Sequence, residues 1–416
     1  MVKFVNHEVL LVVLSVLVQV PLAIFLGHYY DQRSFLDTGY LVSIGLNPYK
    51  SHLITVFTSN SALMGPNPII GYPPPWPMLL GLIYRLSFNI TPNLLLYNFA
   101  TKIPIIAANI GLAYVAAAVI QRIGASNQKV RAAWLFLLFN PFTLLTTAAW
   151  GEYDTLIALL CVASLYFLSK CMVGKSSILL SLSLVLKPIS LPLIGLPLLC
   201  SQTGKVKKFI ITLSVAFLML LALWFLPFYL LGWIVPSSDF QFTAYFRMAG
   251  GLTVFNAFEL LTNTAAIPAS LWFLGYIWIP ALIVGYYFIY RNPPKSTVEV
   301  VRAAAVLMLI FFLTRSWLSE PNLNLLFPLI LIAFSFDRIS SRLLHLAWII
   351  PLAFMFFNWS IPQLLFLIYP QIMTNITAFD VQFGTARFVA RFLVTILWYI
   401  LAFKIIFAVF PKNRSA

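Results

Sequence analysis

Charge is what this sequence has least of. Only 9% of its 416 residues are Asp, Glu, Lys or Arg, against the roughly one-quarter usual in soluble domains, so a water-solvated globule is excluded. No sustained alternation of apolar and polar residues occurs, which excludes a sheet or barrel built on period two. Cysteine is scarce as well. Cys161, Cys171 and Cys200 lie in or beside apolar segments without metal-ligand spacing, so neither a disulfide framework nor a zinc site is implied. There is no glycine-rich phosphate loop, dinucleotide fingerprint, zinc motif or nucleophile elbow, and use of a soluble nucleotide or nucleotide-sugar is unsupported.

What is present is apolar. Hydrophobic residues make up 61% of the chain and the mean hydropathy is +0.94. Runs of about 17 to 25 apolar residues recur from end to end, each long enough to cross a ~30 Å hydrocarbon core as a helix. The sequence therefore predicts an all-α, polytopic transmembrane bundle over residues 1–416, with helices near 9–27, 94–120, 132–149, 155–170, 176–201, 208–231, 268–290, 300–317, 322–336, 343–358 and 388–410. Lys187-Pro188 interrupts the run 176–201, because proline removes a donor and disfavours helix in the residue before it. That run becomes two short segments meeting at a tip, for about twelve spans. The first run has no small-residue cleavage site before Gly27-His28-Tyr29-Tyr30 and is expected to be a retained helix.

The net charge of +15 would suggest nucleic acid in a soluble protein. Here the basic residues fall in short loops, and no nucleic-acid partner is expected. With both termini cytoplasmic, Arg122/Lys129/Arg131, Lys170/Lys175, Lys205/Lys207/Lys208, Arg291/Lys295/Arg302, Arg338/Arg342 and Lys412/Arg414 all fall inside, as basic loops should. The same threading puts Asp31, Asp37, Glu152, Asp154, Asp239, Glu259, Glu320 and Asp380 outside and leaves Glu8, Glu299 and Asp337 inside. An outward-facing polar site follows. Two outer connections, 28–93 and 232–267, are too long to be turns. The first holds Tyr72-Pro73-Pro74-Pro75-Trp76-Pro77 and then the short apolar stretch Met78 to Phe88 with Arg85, expected to be an interfacial helix.

Asp31 and Asp37 stand just past the first helix, where a carboxylate can act as a general base towards a hydroxyl. Charged residues also end spans simply because water is there. Trp150-Gly151-Glu152-Tyr153-Asp154 makes a tight outer turn in which aromatic faces and carboxylates suit a sugar, although Trp and Tyr also populate ordinary interfacial belts. Lys187 is a lone cation inside an apolar run and needs a carboxylate, a polar cavity, a lipid phosphate or the interface. Arg315 to Asn322, with Glu320, repeats the pattern at a later outer turn, where an arginine can hold a phosphate. Arg33, Arg247 and Arg387 are further outer cations. Asn89-Ile90-Thr91, Asn358-Trp359-Ser360 and Asn375-Ile376-Thr377 match the short glycosylation sequon. Gly250-Gly251 is read as a turn in the second outer loop.

Taken in order, Asp31, Asp37, Gly45, Asn47-Pro48-Tyr49 and Tyr72-Pro73-Pro74 resemble the first luminal loop of GT-C membrane glycosyltransferases. The resemblance is in particular to the catalytic subunit of GPI mannosyltransferase I and its prokaryotic relatives. Lys102 with Asn109, Asn140-Pro141, Trp150 to Asp154 and Lys187-Pro188 follow in the same order, so the resemblance covers roughly residues 28–200; from Arg315 to Asn322 it is looser. It departs where eukaryotic relatives carry Asp-x-Asp, because alignment through Pro48-Tyr49 puts the first aspartate on Tyr29. The resemblance implies sugar transfer from a polyprenyl- or dolichyl-phosphate donor, mannose first, to a lipid-linked or glycan acceptor on the non-cytoplasmic face. That face would belong to a prokaryotic plasma membrane or the endoplasmic reticulum.

It implies catalysis by Asp31 and Asp37, and phosphate binding by Lys187 and Arg315. Sugar or acceptor contacts would come from Arg33, Tyr49, Tyr72, Glu152, Asp154, Glu320 and Asn322. No cofactor and no metal enter this reading. A transporter or lipid flippase is the rival from another class, though Lys187-Pro188 has no counterpart in a second half as transporter repeats would require. A non-catalytic subunit of a glycosylation complex is the third reading.

Overall fold

The computed structural model describes residues 6–50, 52–54, 65–66, 70–199, 205–233, 246–262, 264–336 and 338–410. Cys200, Asp239, Asp337, Lys412, Arg414 and the middle of the 232–267 loop lie outside them. The principal helices are α1 (Asn6–Phe25), α2 (Tyr29–Ser43), α3 (Pro75–Leu86), α4 (Leu94–Arg122), α5 (Asn127–Phe139), α6 (Asp154–Ser169), α7 (Val173–Leu186) and α8 (Lys205–Leu220). They are followed by α9 (Trp278–Arg291), α10 (Thr297–Thr314), α11 (Phe327–Phe334), α12 (Ser341–Phe357) and α13 (Ile372–Val409).

Among the described residues, seven helices are long and apolar enough to cross a membrane. An eighth span is broken, Ser341–Phe357 meeting Ser360–Leu367 at 71°, and shorter apolar helices cover 154–169, 173–186, 188–198 and 320–334. Against the expected twelve or so, the described residues thus give seven spans, or eight with the broken one, by length and hydropathy. The expected interfacial stretch is helical, as α3. The long tail helix is the main difference in length. α13 has 38 residues, about 57 Å at ~1.5 Å per residue, whereas hydropathy marks only 388–410 as a span. Residues before 388 are too polar to read as membrane, yet they hold no proline and are tied down by the ion pair of Arg387 with Asp380 at 2.6 Å, with Arg391 to Glu259 at 2.9 Å one turn further on.

Caps and breaks follow from local chemistry. The Asn93 side chain accepts from Leu95 N and Leu96 N at the start of α4, and Ser296 Oγ accepts from Glu299 N at the start of α10. α10 is the central helix, with 72% of its apolar window buried, and Ala303, Ala304 and Ala305 let neighbours approach closely. Arg302, on that helix, donates to the Val409 and Phe410 carbonyls at 2.6 and 2.7 Å and so closes the end of α13. The expected span 132–149 is interrupted: Asn140 caps a new turn at Pro141, and the chain then widens into a π-helical stretch, Leu145–Trp150. In the run 176–201 the break comes at Lys187, whose backbone is extended (φ −156°, ψ 115°) between α7 and a 3-10 stretch, Pro188–Leu193.

The second outer loop returns through Gly250 and Gly251, which pair in parallel with Trp317 and Leu318. This glycine pair is therefore a strand rather than a turn. Gly251 holds φ +61° with no room for a Cβ against the Leu318 backbone.

α4 fixes where the first helix ends. Asn98 Nδ2 reaches the carbonyls of Ala23, Ile24 and Leu26 at 2.6, 3.1 and 2.9 Å. Lys102, fully buried, donates to Leu26 O at 2.5 Å and Ala149 O at 2.6 Å. Two helix C-termini are thereby tied to one ammonium, whose charge suits their exposed carbonyls. Gly151 follows at φ +96°, and a Cβ there would stand 2.8 Å from Lys102 Cε. Left-handed backbone costs other residues about 1–2 kcal/mol, so Gly151→Ala is expected to lose at least about that much stability, read as a lowered thermal unfolding temperature in detergent.

Asp31 and Asp37 lie on one helix, α2. Six residues at ~100° each put Asp37 about 240° round the axis from Asp31, on another face. Asp37 is 1% exposed, with neither carboxylate oxygen hydrogen-bonded and Arg33 Nε 3.9 Å away. Burial raises its pKa from 3.8 to about 7, against the pull of Arg33. The unfolded chain thus releases this proton first as pH rises, and stability drains away between about pH 4 and 7 before levelling. The unfolding temperature should fall over that interval, and Asp37→Asn should remove part of the fall. An identical pH profile in the variant would contradict it.

Candidate active site

A cavity of about 650 Å³ opens between the N-terminal and C-terminal halves of the bundle. On one side it meets His28, Asp31, Tyr72, Trp150, Glu152 and Lys187, on the other Arg315, Glu320, Asn322, Asn358 and Ser360. Trp224, Phe246, Trp278 and Phe311 extend it as an apolar recess.

A run of hydrogen bonds joins the two sides. Asn47 Oδ1 accepts from Tyr49 N at 3.0 Å, and Tyr49 OH donates to Tyr72 O at 2.8 Å. Tyr72 OH in turn donates to Glu152 Oε1 at 2.5 Å. Lys187 Nζ lies between Glu152 Oε2 at 3.2 Å and Asp154 Oδ2 at 2.7 Å, and Asn322 Nδ2 donates to Asp154 Oδ1 at 2.9 Å. The motifs Asn47-Pro48-Tyr49, Tyr72-Pro73, Trp150 to Asp154, Lys187-Pro188 and Glu320-Pro321-Asn322 are thus brought together.

Glu152 and Asp154 are 3% and 0% exposed, and a buried carboxylate is tolerable only with a paired cation and its remaining oxygens satisfied. Burial is the main reason that Glu152 has its pKa raised to about 8, with Asp31 and Asp154 adding to the rise and Lys187 opposing it.

Asp31 is set differently. Oδ2 accepts from Trp150 Nε1 at 2.6 Å, and His28 Nδ1 stands 3.0 Å from the same oxygen. The His28 ring stacks on Trp150, centroids 4.1 Å apart. Oδ1 carries no hydrogen bond among the described residues and is not sealed off, while the residue lines the cavity. Asp31 therefore presents one oriented, unspent acceptor to a bound molecule. Across the cavity, Arg315 rests on the Phe311 ring at 4.9 Å. Its turn is held by the Gly250–Trp317 pairing and by Thr253 Oγ1, which donates to Ser316 O at 3.2 Å. Glu320 Oε1 accepts from Asn358 Nδ2 at 2.8 Å and Ser360 Oγ at 2.9 Å.

The cavity does not reach every residue expected in it. Asp37 and Arg33 are not part of its lining, since α2 turns them away, and Asp154 lies behind Lys187. Tyr153, expected as a sugar platform, is fully buried and stacked on Trp76 at 4.2 Å. Lys187 meets two carboxylates before any phosphate. Trp150, from the same turn as Tyr153, does line the site, whereas His28, Asn358 and Ser360 line it without having been singled out for it. His28 had a legible signal, one helical turn before Asp31. Asn358 and Ser360 matched a sequon, a different meaning for the same residues. Among the described residues no group of three or more His, Cys, Asp or Glu is placed to hold a metal ion.

No protein-family model matches the chain, and no curated protein matches it. Among solved structures it is similar to ArnT from Cupriavidus metallidurans, whose crystal structure is bound to undecaprenyl phosphate. The two share 14% identity at a TM-score of 0.52, over 97% of this chain and 77% of that one. At that identity the likeness is one of fold, and the chain is an integral membrane protein whose helical bundle shares that protein's fold.

Proposed function

We propose that this chain is a membrane glycosyltransferase that moves a sugar, mannose in the favoured reading, from a polyprenyl or dolichyl phosphate to a hydroxyl of a lipid-linked or glycan acceptor. The observation that carries the reading is the unspent Oδ1 of Asp31, aimed into a cavity that also holds a cation and an apolar recess. The fold neighbour's undecaprenyl phosphate supports the donor class. The basic inner loops support a site on the non-cytoplasmic face with cytoplasmic termini.

In this reading the acceptor oxygen attacks the anomeric carbon while its proton passes to Asp31 Oδ1. The bond from that carbon to the phosphate oxygen breaks, and the lipid phosphate leaves with the electron pair and its negative charge. Arg315 steadies that charge. One displacement inverts the anomeric configuration. Lys187, already engaged by Glu152 and Asp154, holds the carboxylate wall in place, and Tyr72 and Tyr49 hold it from the loop side. Asp37 is placed outside the chemistry.

Purified protein in lipid should transfer labelled sugar from undecaprenyl-phosphate mannose within a panel of such donors. General-base removal typically costs about 10²- to 10⁴-fold, so Asp31→Asn should lose at least ~100-fold in rate while still binding donor, and Asp37→Asn should stay much closer to wild type. Undiminished transfer by Asp31→Asn would remove it as the base, and uptake of lipid without any covalent product would favour a flippase. Lys187→Met leaves two buried carboxylates without their cation, a loss of about 3–5 kcal/mol, and should show first as a lowered unfolding temperature. A variant as stable as wild type would contradict that role.

A further inference from the structure

The break between α12 and the helix at 360–363 is built on a left-handed tryptophan. Trp359 has φ +62°, a strained conformation for a bulky residue that persists only where the surroundings enforce it. The enforcement is visible. Trp359 Nε1 donates to Asp380 Oδ1 at 2.9 Å, and Arg387 binds both oxygens of Asp380, at 2.6 and 3.2 Å. Arg387 also donates to Phe357 O at 3.2 Å, and the corner is joined to the start of α2 by Gly27 N donating to Leu364 O at 2.8 Å. The part of α13 that precedes its apolar stretch thus holds one tight corner in place.

What the corner presents is Asn358 and Ser360, both directed at Glu320 Oε1. Glu320 is 2% exposed, yet its Oε2 accepts no hydrogen bond among the described residues and is not sealed from the cavity. A carboxylate with one oxygen fully engaged and the other turned to a cavity is an oriented acceptor for a hydroxyl. Asn358 Oδ1 and the Ser360 hydroxyl oxygen, on residues that also line the cavity, add acceptor capacity beside it, their protons being donated within the cluster. We propose that Glu320, Asn358 and Ser360 form the recognition site for the hydroxyls of the donor's sugar, with the strained Trp359 corner as its support. This rests on the glycosyltransferase reading above and adds to it the residues that select the sugar. It also removes Asn358 as a glycosylation acceptor, because its amide is spent inside the fold.

The test compares equilibrium binding of two ligands, undecaprenyl phosphate and undecaprenyl-phosphate mannose, to purified full-length protein without acceptor. Wild type should bind the sugar-bearing lipid about tenfold more tightly or better, as expected for a charged hydrogen bond worth ~1.5 kcal/mol or more. Glu320→Ala and Ser360→Ala should bring that ratio close to one with little change for the bare lipid, whereas Ser360→Thr, which keeps the hydroxyl, should retain it. A ratio preserved in both alanine variants would overturn the assignment. So would equal losses for both lipids, or an effect confined to the KM of the acceptor. If wild type bound neither lipid, the donor class itself would fall, and this inference with it.

Discussion

The ammonium of Lys187 between Glu152 and Asp154 is the constraint on which the site depends. An isolated charge of either sign would be intolerable at that depth, and only the complete set, finished by Tyr72 and Asn322, makes the burial affordable. Each member comes from a different part of the chain: the first outer loop, the turn after the π-helical stretch, the break after α7, and the turn before α11. Satisfying one buried cation therefore brings four connections to one place. Lys102 acts in the same way a layer below, where two helix ends share its hydrogen bonds and leave Gly151 as the residue that fits between them.

Much of this was legible in the sequence because lipid leaves so little choice. Apolar runs gave the spans, Lys187-Pro188 the break, and the order of Asn47-Pro48-Tyr49, Tyr72-Pro73, Glu152 and Lys187 the set of residues that meet. The placement of Asp37 was not legible, because it turned on whether α2 began before Asp31 or between the two aspartates, and helix boundaries are the least certain part of any reading. Nor was the role of Asn358 and Ser360, since a left-handed Trp359 has no sequence signature and the partners that enforce it lie about twenty and more residues downstream. The polar first half of α13 escaped for the converse reason. Hydropathy finds helices that lipid stabilises, whereas this one is stabilised by ion pairs and a corner.

The cavity joins two chemistries that a lipid-linked sugar also joins. Its polar end has an oriented carboxylate on each side, Asp31 held by Trp150 and Glu320 held by the Trp359 corner, and its other end is aromatic. Arg315 stands on the cavity wall with one face against Phe311, where an arginine can meet a phosphate while its stem stays in apolar contact. On the proposed function, base, sugar contacts and leaving group each find a separate wall. The fixed positions of these walls come from the hydrogen-bonded turns rather than from the spans themselves.

The most direct measurement is a structure of the protein determined in lipid with undecaprenyl phosphate added. The account predicts the phosphate within hydrogen-bond reach of Arg315, the isoprenoid chain along Trp278 and Phe246, and Asp31 Oδ1 facing the space where the sugar would stand. A lipid phosphate bound elsewhere, with this cavity left without it, would contradict the account.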